Sequence, residues 1–361
     1  MPTVHVDLAQ RAYDVIVEAG ALARAAALLD AAGLNHKRVA VISDATVAGL
    51  HAPTLLDALK AAGREATLHT VPAGESSKSL TRTEDLCRSM LQAGHDRKSL
   101  VIALGGGVVG DLAGFTASIF QRGIPYVQIP TTIVSQVDSS VGGKTGVNAP
   151  EGKNLIGTFH QPRLVIVDPL TLRTLGEREY REGFAEAIKH AAIRDAAMLD
   201  AIAALDPAKR DVPAELIARN IAIKARIVEA DEHETSGLRA LLNFGHTIGH
   251  GIEAAVPYGE LLHGEAIALG MRAALWLSER HAGLHPAASA KVQAALESFA
   301  LPQRLPESIG TEVILAKLAS DKKFAQGAIR FVLLRSLGDA FVSDQVGASD
   351  LRDAIEALRT A

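Results

Sequence analysis

Four histidines, His233, His246, His250 and His263, crowd into one stretch of the chain. His246 and His250 stand four residues apart, on one face of a helix. His263-Gly264-Glu265 opens the next helical pattern, and Glu186 sits on an earlier one within Glu182-Gly183-Phe184-Ala185-Glu186-Ala187-Ile188-Lys189. One Glu and two His that leave a coordination position open form a common catalytic zinc set. A substrate hydroxyl in that position would be acidified by the ion. Spacing alone singles out His246 with His250. An isolated HxxxH pair is more often two satisfied helix histidines, and the Glu of HExxH is absent, which disfavours a zinc protease.

Gly105-Gly106-Gly107-Val108-Val109-Gly110-Asp111 follows an apolar run and opens a helical pattern. Its GxGxxG spacing lets backbone approach a pyrophosphate at a helix N-terminus. It follows the third strand, though, not the first, and Thr131-Thr132 stand where a dinucleotide site has an acidic strand end. A tight strand-to-helix turn explains the glycines equally well. Asp44 ends the first strand, where it suits either a helix N-cap or ribose hydroxyls. Gly74-Glu75-Ser76-Ser77-Lys78 follows the second strand. Three polar or glycine-rich strand ends converge on one edge of a parallel sheet, which favours an adenine nucleotide. Residues 130–154 hold Lys144, Lys153, Asn154 and Asp138 among small residues, a mixture suited to phosphate or carboxylate.

These residues need elements to hold them. Arg38–Ser43, Ala66–Val71, Leu100–Leu104, Val127–Pro130 and Leu164–Asp168 read as strands, with helical periodicity at Ala45–Ala62 and Ser79–Gln92. Strands alternating with helices imply a parallel sheet. Beyond Arg178 the pattern turns helical: Phe184–Leu205, Ala214–Asp231, Leu241–Ala255, His263–His281 and Ala287–Phe299. Ile329–Leu334 and Ala340–Val342 read as strands before a last short helix. The expected fold is α/β: a Rossmann-like parallel-sheet nucleotide domain, residues 1–176, then a mostly helical metal- and substrate-binding domain, residues 177–361.

At 361 residues the chain is long enough for two domains with full cores. Lys+Arg is 37 against Asp+Glu 41, a formal charge of −4, which argues against a nucleic-acid or polybasic membrane partner. One cysteine, Cys87, builds no disulfide framework and suits a reducing cytoplasm. Neither a signal peptide nor a membrane span is expected.

Taken together, residues 130–148 (PTTIVSQVDSSVGGKTGVN), 105–118 (GGGVVGDLAGFTAS), 182–190 (EGFAEAIKH), 238–253 (LRALLNFGHTIGHGIE) and 261–271 (LLHGEAIALGM) closely resemble the 3-dehydroquinate synthases. These belong to the sugar-phosphate cyclases, whose fold is similar to that of glycerol dehydrogenases. The resemblance runs from about Asp44 to Leu337. It implies a lyase of the shikimate pathway, leading to chorismate and the aromatic amino acids. The substrate would be 3-deoxy-D-arabino-heptulosonate 7-phosphate and the products 3-dehydroquinate and phosphate. Turnover would combine oxidation at C5 by NAD, phosphate elimination, re-reduction and intramolecular aldol closure, with no net use of NAD.

The resemblance further implies a divalent metal, zinc or cobalt, on Glu186, His246 and His263, with His250 on the substrate side. NAD contacts match Asp44, Gly74, Glu75, Ser76, Ser77, Lys78, Gly105, Gly106, Gly107, Val108, Val109, Gly110, Asp111, Thr131, Thr132, Asp138, Lys144 and Lys153. They also match Thr171, Leu172, Arg173, Thr174, Leu175 and Glu179. Substrate positions match Lys144, Lys153, Asn154, Lys189, Lys224, Arg239, Asn243 and His250. Arg122 matches an arginine that reaches a neighbouring subunit's site in a homodimer. One of Lys322 and Lys323 is expected at the substrate. Ala73-Gly74-Glu75 departs from the family's usual acidic or glycine first residue but keeps Glu75 and Lys78. Rival readings are another sugar-phosphate cyclase, a polyol dehydrogenase on the same fold and a non-catalytic nucleotide-binding regulator. Lys224 with Arg239 favours a carboxylate-bearing substrate.

Overall fold

The computed structural model describes residues 1–257, 259–319 and 330–360. The chain forms two compact units, Met1–Leu175 with Asp211–Glu229, and Gly176–Arg210 with Ala230–Ala361.

The first unit is built on a seven-stranded sheet. Its strands are β1 (Thr3–Val6), β2 (Tyr13–Val17), β3 (Arg38–Asp44), β4 (Glu65–Val71), β5 (Leu100–Gly105) and β6 (Tyr126–Pro130), with β9 (Leu164–Val167) following the hairpin of β7 (Lys144–Ala149) and β8 (Gly152–Phe159). The sheet order is β1-β2-β9-β6-β5-β3-β4; all its pairs are parallel except β1 with β2. Side chains alternate faces along a strand, so each strand feeds two cores. Val39, Val41, Leu100 and Ile102 pack under α1 (Ala25–Ala31) and α2 (Ala45–Ala61). Ala40, Ile42, Val101 and Ala103 pack under α3 (Leu80–Gln92) and α4 (Gly107–Ile119). Strands buried on both faces read as continuous apolar runs, which is why β3, β5 and β9 are visible in the sequence.

The second unit is mostly helical: α5 (Glu177–Arg194), α6 (Ala196–Ala203), α8 (His246–Ala255), α9 (His263–His281), α10 (Pro286–Ser298), α11 (Thr311–Ala319) and α12 (Ala348–Thr360), with the hairpin β10 (Phe331–Ser336) and β11 (Asp339–Ser343). The helix α7 (Ala214–Ala230) falls almost wholly within the first unit, although it lies beyond residue 176 in sequence. From Ala266 to Ser278, α9 is buried except at Trp276, and forms the spine of the unit.

Two sequence expectations need correction. Phe184–Leu205 is two helices, broken at Asp195 (φ −146°, ψ 80°). Leu241–Ala255 is a 3-10 turn, Leu238–Asn243, followed by α8, because Gly245 takes a left-handed φ of 79°. The hairpin at 144–159 and the strands β1 and β2 add elements that no sequence expectation covered. Lys322, Lys323 and Ile329 lie outside the described residues. Among those described, no helix is long and apolar enough to cross a membrane.

Candidate active site

In the first unit, three neighbouring strands end in polar turns. Asp44 closes β3 and caps α2, accepting from Thr46 N at 2.9 Å and Val47 N at 3.0 Å. After β4, Gly74 (φ 103°) turns the chain into Glu75–Ser77. After β5, Gly106 leads into α4 with no side chain capping the helix. The backbone N–H groups of its first turn are therefore available to an anion. These glycines also serve packing. A Cβ on Gly105 would lie 2.6 Å from Val109 Cβ, and one on Gly110 would lie 2.7 Å from Gln128 Oε1.

Buried charge is paired in this unit. Lys78 Nζ lies 2.5 Å from Asp111 Oδ2. Burial raises the Asp111 carboxyl above its ordinary range, against the pull of Lys78. From α7, Lys224 reaches Asp138, donating to its carbonyl at 2.7 Å with its carboxylate at 2.9 Å. Lys144 opens β7, Lys153 and Asn154 lie on β8, and all three are exposed. Thr132 bonds Ser135, and Thr171 donates to the Asp168 carbonyl at 2.8 Å. Thr174 pairs with His51 at 2.9 Å, and Arg173 lies 3.4 Å from Asp211. Arg122 is exposed, with φ 72°.

In the second unit, Glu186 is 1% exposed on α5. Its Oε1 lies 3.3 Å from His246 Nε2 and 3.6 Å from His263 Nε2, without a hydrogen bond of good geometry. Its other oxygen pairs with Lys189, one turn on. His246 Nδ1 faces the Phe244 carbonyl at 3.1 Å, and His263 Nδ1 faces Glu253 Oε2 at 3.1 Å. Both Nδ1 atoms thus carry protons toward acceptors, which leaves both Nε2 lone pairs aimed at Glu186 Oε1. Two lone pairs and a carboxylate oxygen repel unless a cation or proton lies among them. The donor set therefore fits a divalent ion.

The charges agree. Burial opposes ionisation of Glu186, but Lys189 and His246 outweigh it and hold the carboxyl well below its usual range. Burial also opposes charge on His263, but the neighbouring carboxylates of Glu186 and Glu253 push it up to about 10, so without an ion its Nε2 carries a proton toward Glu186. His250 offers a ring nitrogen within 4.8 Å of those of His246 and His263, so the geometry groups all three.

Close helix packing brings the rings together. A Cβ on Gly249 would lie 2.8 Å from Ile267 Cδ1, and one on Gly270 would strike the Gly245 carbonyl. The start of α9 is framed as well. Glu182 Oε2 accepts from Gly264 N at 2.6 Å, and Glu265 accepts from Leu262 N at 2.8 Å. Arg178 grips Glu265 through two nitrogens, at 2.7 and 2.6 Å. Arg239, 4% exposed, donates to the Glu232 carbonyl at 2.8 Å. Asp231 orders its loop by accepting from Thr235, Ser236 and Arg239 backbone N–H. Asn243 ends the 3-10 turn, and Glu179 lies in the first turn of α5.

Sequence reasoning did not single out Glu253, Glu182, Arg178 or Asp231. Glu253 had a signal, since it stands two helical turns after His246. Glu182 had one too, four residues before Glu186 on the same helix face.

A parallel sheet with glycine-rich strand ends, accompanied by a helical unit holding a Glu/His/His cluster, marks a two-unit α/β enzyme. Residues 68–182 match the model of the 3-dehydroquinate synthase N-terminal region, and 183–324 that of its C-terminal region. The chain belongs to the 3-dehydroquinate synthase family. It is 44% identical over 368 residues to the 3-dehydroquinate synthase of Paracoccus denitrificans, covering 99% of each chain. Among solved structures, it resembles the 2-epi-5-epi-valiolone synthase ValA of Streptomyces hygroscopicus, solved with NAD+ and Zn2+, at 33% identity, 96% coverage of each and a TM-score of 0.86. A 2-deoxy-scyllo-inosose synthase shares the fold at 24% identity, 99% coverage of each and a TM-score of 0.86.

Proposed function

We infer that this chain converts 3-deoxy-D-arabino-heptulosonate 7-phosphate to 3-dehydroquinate and phosphate, in the shikimate pathway. The observation that carries the reading is its 44% identity to a 3-dehydroquinate synthase over 99% of both chains, against 33% to a cyclase of different product. NAD, when bound, supplies a hydride acceptor restored within each turnover, and a zinc or cobalt ion acidifies substrate hydroxyls.

Glu186, His246 and His263 would hold the ion; Glu253 and the Phe244 carbonyl fix the two imidazole tautomers. The uncapped first turn of α4, with Asp44, Glu75, Lys78 and Asp111, would hold NAD. The remaining residues matched above, Gly74, Ser76, Ser77, Thr131, Thr132, Asp138, Lys144, Lys153 and the 171–175 turn with Glu179, complete that set. Lys189, fixed by Glu186, presents a positioned ammonium to substrate oxygen. Lys144, Lys153, Asn154, Lys224, Arg239, Asn243 and His250 would bind a ligand bearing both phosphate and carboxylate, which needs several cations. We place the enzyme in the cytoplasm as a homodimer, with the exposed Arg122 reaching the partner's site.

The test is incubation with the heptulosonate phosphate. Phosphate should appear in step with substrate loss and stop on chelation. Net NADH release without phosphate would make the chain a dehydrogenase instead.

A further inference from the structure

The β7–β8 hairpin carries an irregularity, with Lys153, Asn154 and Leu155 of β8 set against Asn148 of β7. Val147 pairs with Ile156, but the next pair is Ala149 with Gly152, so the register shifts across Asn148. Such irregularities re-aim a side chain. Asn148 Nδ2 donates to Glu75 Oε1 at 2.8 Å. Its Oδ1 accepts from the backbone N–H of Asn154 at 2.9 Å. Its own backbone N–H donates to the Lys78 carbonyl at 2.9 Å. The amide orientation is settled by its partners, because a carboxylate only accepts and a backbone N–H only donates. Asn154 meanwhile holds a left-handed φ of 59°, which asparagine adopts more readily than other residues bearing a side chain.

One side chain therefore ties the turn proposed to hold NAD, Glu75 to Lys78, to the Lys153–Asn154 segment proposed to hold substrate. We propose that Asn148 is a positioning residue that couples NAD binding to the ordering of Lys153 and Asn154. The inference rests on the reading of both segments given above. With NAD on the Glu75–Lys78 turn, Glu75 and the Lys78 carbonyl become fixed anchors for Asn148. Asn148 in turn holds the Asn154 N–H and with it the left-handed bend. Substrate then meets a prepared site only in protein already carrying NAD.

The test is amide hydrogen exchange across residues 150–156 of the full chain, without and with saturating NAD, with NAD binding followed in parallel by calorimetry. NAD should slow exchange at Asn154 about tenfold, a modest coupling. Asn148→Ala should still bind NAD but lose that slowing. Asn148→Asp keeps the size and the acceptor but sets a second carboxylate against Glu75. It should lose the slowing too, and it replaces the Ala variant if that one fails to fold. Slowing that persists in either folded variant, or is absent from NAD-bound wild type, overturns the coupling while leaving the functional reading intact. Wild type that binds no NAD overturns the functional reading itself.

Discussion

The first turn of α4 and the Glu186 cluster are made ready for ligands by different means. Around α4 the binding surface is backbone: glycines on which a Cβ would crowd neighbouring side chains, and N–H groups left without a side-chain cap. Around Glu186 it is side chains from three helices, α5, α8 and α9, each oriented by a further contact. The backbone site tolerates no added volume. The side-chain site tolerates no changed chemistry.

Substitutions can sharpen that contrast. The largest effect should come from the donors themselves. Glu186→Gln or His263→Ala should lose stoichiometric metal, and phosphate release should fall about 10³-fold or more, as expected for several kcal/mol of charge stabilisation. Metal analysis alongside a phosphate assay checks both. His250→Ala should keep its metal; if it loses the ion while His263→Ala retains it, the donor assignment is wrong.

His69 and His263 should also answer pH with opposite signs. Burial, aided by His95, lowers His69 on β4 to about 4. A depressed histidine contributes stability above its unfolded value near 6.5. That contribution, about 3 kcal/mol, is lost as pH falls from 6.5 through 4. His263 is raised, so in metal-free protein its contribution is complete below pH 6.5 and is lost as pH rises through about 10. Denaturant titrations of metal-free protein across this range should show both limbs. His69→Gln should make only the acid one shallower, because His250, lowered to about 3, also contributes there.

Smaller effects follow from orientation and packing. Glu253→Gln keeps an acceptor but removes the charge behind His263, and should weaken metal affinity about 10- to 100-fold, measured by competition with a chelator. Gly270→Ala drives a methyl into the Gly245 carbonyl and should cost about 1–3 kcal/mol in denaturant. Gly49→Ala, in exposed α2 with nothing within 4 Å of the added Cβ, should instead stabilise by about 0.5–1 kcal/mol.

The same contrast governs what could be read from the chain. The buried strands β3, β5, β6 and β9 show as apolar runs because both their faces are covered. The β7–β8 hairpin does not, because one side is exposed and its residues are those of a loop: Lys144, Gly146, Asn148, Gly152 and Lys153. Gly105 to Gly107 are visible because a backbone site writes itself in consecutive glycines. His246 and His250 are visible as a pair, yet the approach of Glu186 and His263 to His246 depends on how three helices pack. Glu253, Glu182, Arg178 and Asn148 act through partners on other elements. In sequence they look like ordinary polar residues of a helix or loop.

A cyclase of this kind must use one hydride twice. The most direct measurement follows substrate deuterated at C5 through a single incubation with added NAD. One phosphate should be released per substrate, with deuterium retained at the corresponding carbon of the product and no accumulation of free NADH. Deuterium appearing in the added NAD pool would contradict it.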